Sequence, residues 1–71
     1  MKNLPYSVTV KRNGRTKVWY YQFSGDAKTA FEMAAVINGA AVSWPIRIEP
    51  GEEISATGNG GTVTLTRRNK L

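Results

Sequence analysis

An Asn-Gly pair at positions 13 and 14 separates Tyr6-Ser7-Val8-Thr9-Val10, where apolar and polar residues alternate, from the aromatic run Trp19-Tyr20-Tyr21-Gln22-Phe23. Asn-Gly is the pair preferred in two-residue type I′ turns, because both central residues need positive φ and the twist of that turn matches the twist of the strands it joins. A two-residue loop leaves no freedom in the pairing. It sets Arg12 opposite Arg15, Val10 opposite Lys17, Val8 opposite Trp19 and Tyr6 opposite Tyr21. In this register the apolar series Tyr6, Val8, Val10 shares a face with Trp19, Tyr21 and Phe23. Ser7, Thr9, Lys11, Thr16, Val18, Tyr20 and Gln22 take the other face. Turn chemistry and hydrophobic period agree, and a slip of one residue would turn every one of these side chains over.

After Ser24-Gly25-Asp26 the pattern changes to Ala27, Ala30, Phe31, Met33, Ala34, Val36 and Ile37, closed by Asn38-Gly39. Helix formers ending at a residue tolerant of the left-handed conformation predict one helix of about three turns. Its alanines allow close approach to a sheet, with Phe31, Ile37 and Met33 supplying bulk against the apolar face of the hairpin. Val42, Trp44, Ile46 and Ile48 then alternate with polar or small residues and predict a strand over 42–49, with Pro45 at an edge or bulge. Pro50-Gly51 turns the chain. A second hairpin around Gly58-Asn59-Gly60-Gly61 would pair Ile54 with Leu65 and Ala56 with Val63, leaving Ser55, Thr57, Thr62, Thr64 and Thr66 outside. Extended by two residues, that register sets Glu52 opposite Arg67, an opposite-charge cross-strand pair.

These elements predict an α+β domain in the order β-β-α-β-β-β, a twisted antiparallel sheet with one helix across one face. The expected domain covers residues 1–71 and carries a basic tail at 67–71. Hydrophobic residues at 41% and charged residues at 21% exclude the low hydrophobicity and high charge of a disordered chain. Phe31, Trp19, Tyr21 and Trp44 fall on the apolar period and are expected in the core.

The sequence has no Cys and no His, which removes thiol chemistry, the usual general base and the commonest metal ligands. Glu49, Glu52 and Glu53 flank a turn in no calcium-loop spacing, and the glycine-rich 58–61 loop lacks the Lys-Ser/Thr of a phosphate-binding loop. The expectation is therefore a non-enzymatic protein with no catalytic residues, no metal and no cofactor. No apolar run is long enough to span a bilayer as a helix, and the first residues do not form a signal-like segment, so the sequence reads as cytoplasmic, with no membrane partner.

Charge supplies the one positive indication. The net charge is +5, and residues 1–25 hold Lys2, Lys11, Arg12, Arg15 and Lys17 without an acid. In the remainder Lys28, Arg47, Arg67, Arg68 and Lys70 cancel Asp26, Glu32, Glu49, Glu52 and Glu53. A cationic hairpin tip is an electrostatic footprint for phosphate or for an acidic partner. The candidate site is Lys11, Arg12, Arg15 and Lys17, with Tyr20 as a surface on which a base can stack. The expected partner is nucleic acid, DNA or RNA. The alternative is an acidic protein surface, met by a protein-interaction or inhibitor module of the kind found among accessory proteins of phages and mobile elements. The succession of basic hairpin, aromatic strand and Ala-rich helix is loosely similar to the arm-binding domains of tyrosine recombinases. It departs from them by lacking an initial strand and by continuing into a second hairpin, so no residue role carries over.

Overall fold

The first hairpin forms in the register that its turn dictates. In the computed structural model, which describes residues 4–69, β1 (Tyr6–Arg12) and β2 (Arg15–Tyr21) pair antiparallel, with Arg12 opposite Arg15, Val8 opposite Trp19 and Tyr6 opposite Tyr21. Asn13 and Gly14 both adopt positive φ, 51° and 76°, as a type I′ turn requires. The second hairpin, β3 (Glu53–Gly58) and β4 (Gly61–Arg67), sets Ile54 opposite Leu65 and Ala56 opposite Val63 across a two-residue Asn59-Gly60 turn. Beyond the ladder the backbones of Glu52 and Arg67 continue it, Arg67 N–H donating to the Glu52 carbonyl at 3.0 Å.

The hairpins join through β1 and β4, which pair antiparallel from Tyr6 with Arg67 to Lys11 with Thr62. The result is one four-stranded antiparallel sheet in the order β2-β1-β4-β3. Helix α1 (Ser24–Ile37) crosses one face, giving an α+β fold. It packs mainly on the two central strands, β1 and β4. Ala27 and Phe31 are buried there in one cluster with Tyr6, Val8, Val63 and Leu65, and Ala35 is buried nearer the helix end. The helix ends in a Schellman motif: Ala40 N–H donates to the Ala35 carbonyl at 2.8 Å and Gly39 N–H to that of Val36 at 3.0 Å, with Gly39 at φ 81°. Reversal at a left-handed glycine satisfies carbonyls that a helix end leaves free.

The expected strand over 42–49 does not join the sheet; residues 40–50 carry no ladder pairing. Its alternation is nevertheless meaningful, since Ile46 and Ile48 are buried in the core and Val42 packs against it. The segment adheres through side chains, while Pro45 has no N–H to offer a ladder. Its backbone is held from elsewhere: Arg67 Nη1 donates to the Ile48 carbonyl at 2.9 Å, and Glu49 N–H donates to Glu52 Oε1 at 2.8 Å. Period-two burial reported packing here, and pairing did not follow from it.

Four large side chains expected inside lie outside. Trp19 is on edge strand β2, beyond the width of a helix centred on β1 and β4, and is 45% exposed. Met33 and Ile37 project from the helix outside its buried stripe and are exposed. Trp44 is also exposed, its indole N–H donating to Glu32 Oε2. The core is built instead from Tyr6, Val8, Phe31, Ile46, Ile48, Val63 and Leu65 with Ala27 between them, and the one helix covers mainly the two central strands. Arg67, counted with the basic tail, closes β4 with its guanidinium 5.7 Å from the Tyr6 ring centroid, at the end of the sheet away from the Asn13-Gly14 turn. Lys70 and Leu71 of that tail, and Lys2, lie outside the described residues.

Two outcomes test this packing. Phe31, 1% exposed and surrounded by alanines too small to refill its space, should lose about 3–5 kcal/mol on substitution by Ala, read as a lowered urea midpoint. Glycine substitutions should split by site. A Cβ at Gly58 would stand 2.2 Å from the Asn38 carbonyl oxygen and 2.6 Å from Ala40 N, both backbone atoms. Gly58→Ala should therefore destabilise by about 1–3 kcal/mol or more. Gly25→Ala, in the first turn of α1 with nothing within 4 Å, should stabilise by about 0.5–1 kcal/mol.

Candidate functional site

Side-chain alternation divides the cationic hairpin between the two faces of the sheet. Arg12, Arg15 and Lys17 share the helix side with Val8, Val10 and Trp19. Lys11 belongs to the opposite, open face with Thr9, Val18 and Tyr20. The five candidate residues thus form two groups on opposite faces. The separation was implicit in the sequence, because Lys11 and Lys17 differ in parity across a two-residue turn.

On the helix side, the hairpin tip extends past the last turn of α1 and leaves a cleft between them. Arg12, Asn13, Arg15, Lys17 and Trp19 line it from the hairpin, and Ala34, Ile37 and Asn38 from the helix end. Its volume is about 640 Å³, inside the range of roughly 300–1,000 Å³ usual for small-ligand clefts. Three cations and an aromatic ring meet there, and no carboxylate lines it. Glu49, Glu52 and Glu53 sit toward the far end of the sheet, and Asp26 lies in the first turn of the helix. Among the described residues no group of three or more acids assembles a metal site.

Asn38, which lines the cleft at the helix end, is held against the second hairpin. Gly60 N–H donates to the Asn38 carbonyl at 2.9 Å, and Asn38 Nδ2 donates to the Ala34 carbonyl at 2.7 Å. Asn38 is 4% exposed, and its Oδ1 is buried without a donor. A Cβ placed at Gly61 would stand 3.2 Å from that oxygen and 3.4 Å from Cβ of Arg12, so the orphan acceptor lies close to where Arg12 leaves the strand. The helix C-terminus also carries the negative end of the backbone dipole, and α1 has no basic residue in its own last turn. Cations supplied by the hairpin fit that field, an interaction of about 0.3–1 kcal/mol each, which opposes the repulsion of Arg12 and Arg15 across the turn.

The open face has a different chemistry. Across the four strands, Val18, Thr9, Thr64 and Ser55 form one row, and Thr16, Lys11, Thr62 and Thr57 the next. Ser55 Oγ and Thr64 Oγ1 lie 3.0 Å apart, and Thr57 Oγ1 and Thr62 Oγ1 3.3 Å apart, each within hydrogen-bonding distance. Lys11 is a single cation in a grid of hydroxyls, and Tyr20, 56% exposed, stands one row beyond Thr9 at the outer strand. This surface can exchange hydrogen bonds, but it concentrates little charge.

Sequence reasoning missed Trp19 and Asn38 as site residues. Trp19 could have been found from parity, since it follows Lys17 by two residues and shares its face; its aromatic character instead suggested the core. Asn38 had no comparable signal, because a C-cap asparagine says nothing about which loop it will meet. No family model, curated protein or solved structure matches the chain.

The cleft cations should be dispensable for folding, because dipole attraction and mutual repulsion oppose one another. Arg12→Gln with Arg15→Gln should change stability by no more than about 1 kcal/mol, measured as the shift in urea midpoint at low salt.

Proposed function

We propose that the protein is a non-enzymatic nucleic-acid-binding module that engages phosphates through Arg12, Arg15 and Lys17. The observation that carries this reading is convergence. Three of the four tip cations share one cleft with no carboxylate in its lining, although the chain as a whole contains five acids. Arginine forks suit phosphate oxygens, and Lys17 adds a mobile point charge beside them. Lys11, on the open face, is a peripheral contributor that strengthens the field without entering the cleft. Phosphate contacts of this kind supply affinity and carry no sequence information by themselves.

A second reading is docking onto an acidic protein surface, and the free edge of β2 favours it. Residues 15, 17, 19 and 21 turn their backbone groups toward β1, so Thr16, Val18 and Tyr20 direct theirs outward from an edge that carries exposed Val18, Trp19 and Tyr20. Such an edge can accept an added strand.

Titration with a labelled oligonucleotide at several salt concentrations separates the two readings. With two to four phosphates contacted, log K should fall with log salt at a slope of about −2 to −4 on duplex DNA, and somewhat less steeply on single strands. Arg12→Glu with Arg15→Glu should abolish binding while the circular dichroism spectrum is retained. No binding to DNA or RNA at low salt would remove the first reading and leave the acidic protein partner. Binding by the double variant equal to wild type would show that the tip is a solubilising end.

A further inference from the structure

Resting on that nucleic-acid reading, we propose that the cleft is built for single-stranded nucleic acid, with an unstacked base lying on the indole of Trp19 while Arg12, Arg15 and Lys17 hold the flanking phosphates. Three observations lead there. Trp19 is the large aromatic side chain that shares a cleft with the cations, and it remains 45% exposed in a chain that buries Phe31 almost completely. Apolar Val10, Ala34 and Ile37 line the same cleft as Trp19 and the cations, so an uncharged ring and its charged backbone each find matching surface there. The cleft is also bounded, by the helix end on one side and the strands on the other. Bases in a duplex are stacked on one another and show the protein only their edges in the grooves. A single strand offers free ring faces, which stack on aromatic side chains irrespective of sequence.

Position along β2 orders the contacts. Arg15, Lys17 and Trp19 follow one another at every second residue on the same face, about 6.8 Å apart at each step. A strand laid along β2 meets charge near the turn and an aromatic ring toward the middle of the sheet. Tyr20, on the other face, is outside this track. The aromatic contact thus passes from Tyr20, the residue the sequence suggested, to its neighbour Trp19.

The test uses the full chain carrying Trp44→Phe, which leaves Trp19 as the sole indole, since the protein has two tryptophans. Deoxythymidine and uridine decamers, a duplex of comparable length and inorganic polyphosphate are titrated into it. The single-stranded decamers are expected to quench Trp19 fluorescence and the polyphosphate to leave it nearly unchanged. Measured by isothermal titration calorimetry, since these variants retain no indole, Trp19→Ala should weaken decamer binding by about tenfold or more with less than twofold effect on polyphosphate and duplex, and Trp19→Phe should recover most of the loss. Tyr20→Ala should leave decamer affinity within twofold. Thermal melts of each variant confirm that it folds, and Trp19→Leu, which keeps bulk but has no ring to stack on, carries the comparison if Trp19→Ala does not. Equal binding of decamer and duplex, no quenching and no loss in Trp19→Ala or Trp19→Leu would overturn the single-strand proposal while leaving the phosphate reading intact. Absence of binding to every polyanion would overturn both.

Discussion

The close approach of the helix end to the Asn59-Gly60 turn governs how the two halves of the molecule meet. Backbone lies on backbone there, with the Asn38 carbonyl accepting from Gly60 N–H and the Gly58 Cα too near Asn38–Ala40 to carry a side chain. Such contact is possible only where glycine removes the Cβ. It fixes the height and direction of α1 over β4, which places Phe31 in the core with Val63 and Leu65 and leaves most of β2, all but Tyr21, exposed. The cleft follows from the same constraint, because the helix stops at the second hairpin while the first hairpin continues past it.

The central pair of strands supplies the matching half of the arrangement. Val8, Val63 and Leu65 are almost wholly buried, so the apolar surface that stabilises the fold is concentrated under one helix, as a small chain requires. What lies beyond it is free of folding duty. The cationic tip, the exposed edge of β2 and the hydroxyl grid of the open face are peripheral to the core cluster, and these are the surfaces with chemistry to offer a partner. Substitutions there and substitutions at Phe31 or Gly58 act on different properties.

Much of the sheet was legible because its signals are local. Asn13-Gly14 and the 58–61 loop each fix a register through turn geometry, and alternating residues on either side agree with that register. The helix was legible at both ends from composition and from Asn38-Gly39. The segment 42–49 was misread as a strand because alternation records which side chains are buried, and Ile46 and Ile48 are buried without any ladder. Trp19 and Trp44 were misplaced for a related reason: hydrophobic period names a face, whereas burial depends on whether another element reaches that part of it. The hairpin register already set Lys11 on the face opposite Lys17, so the division of the four cations into three and one was legible. By contrast, the cleft that the three share with Trp19 and the helix end depends on where α1 stops.

The seam between β1 and β4 has a consequence for how the chain assembles. Each hairpin brings together neighbours in sequence, and its ends are held by a two-residue turn. The seam joins strands from opposite ends of the described chain, so most of the loop-closure entropy of the fold falls on that one ladder. The molecule is therefore two locally encoded ribbons with a single distant weld. Val8 and Val10 on one ribbon and Val63 and Leu65 on the other form the surfaces that must find each other before the sheet is whole.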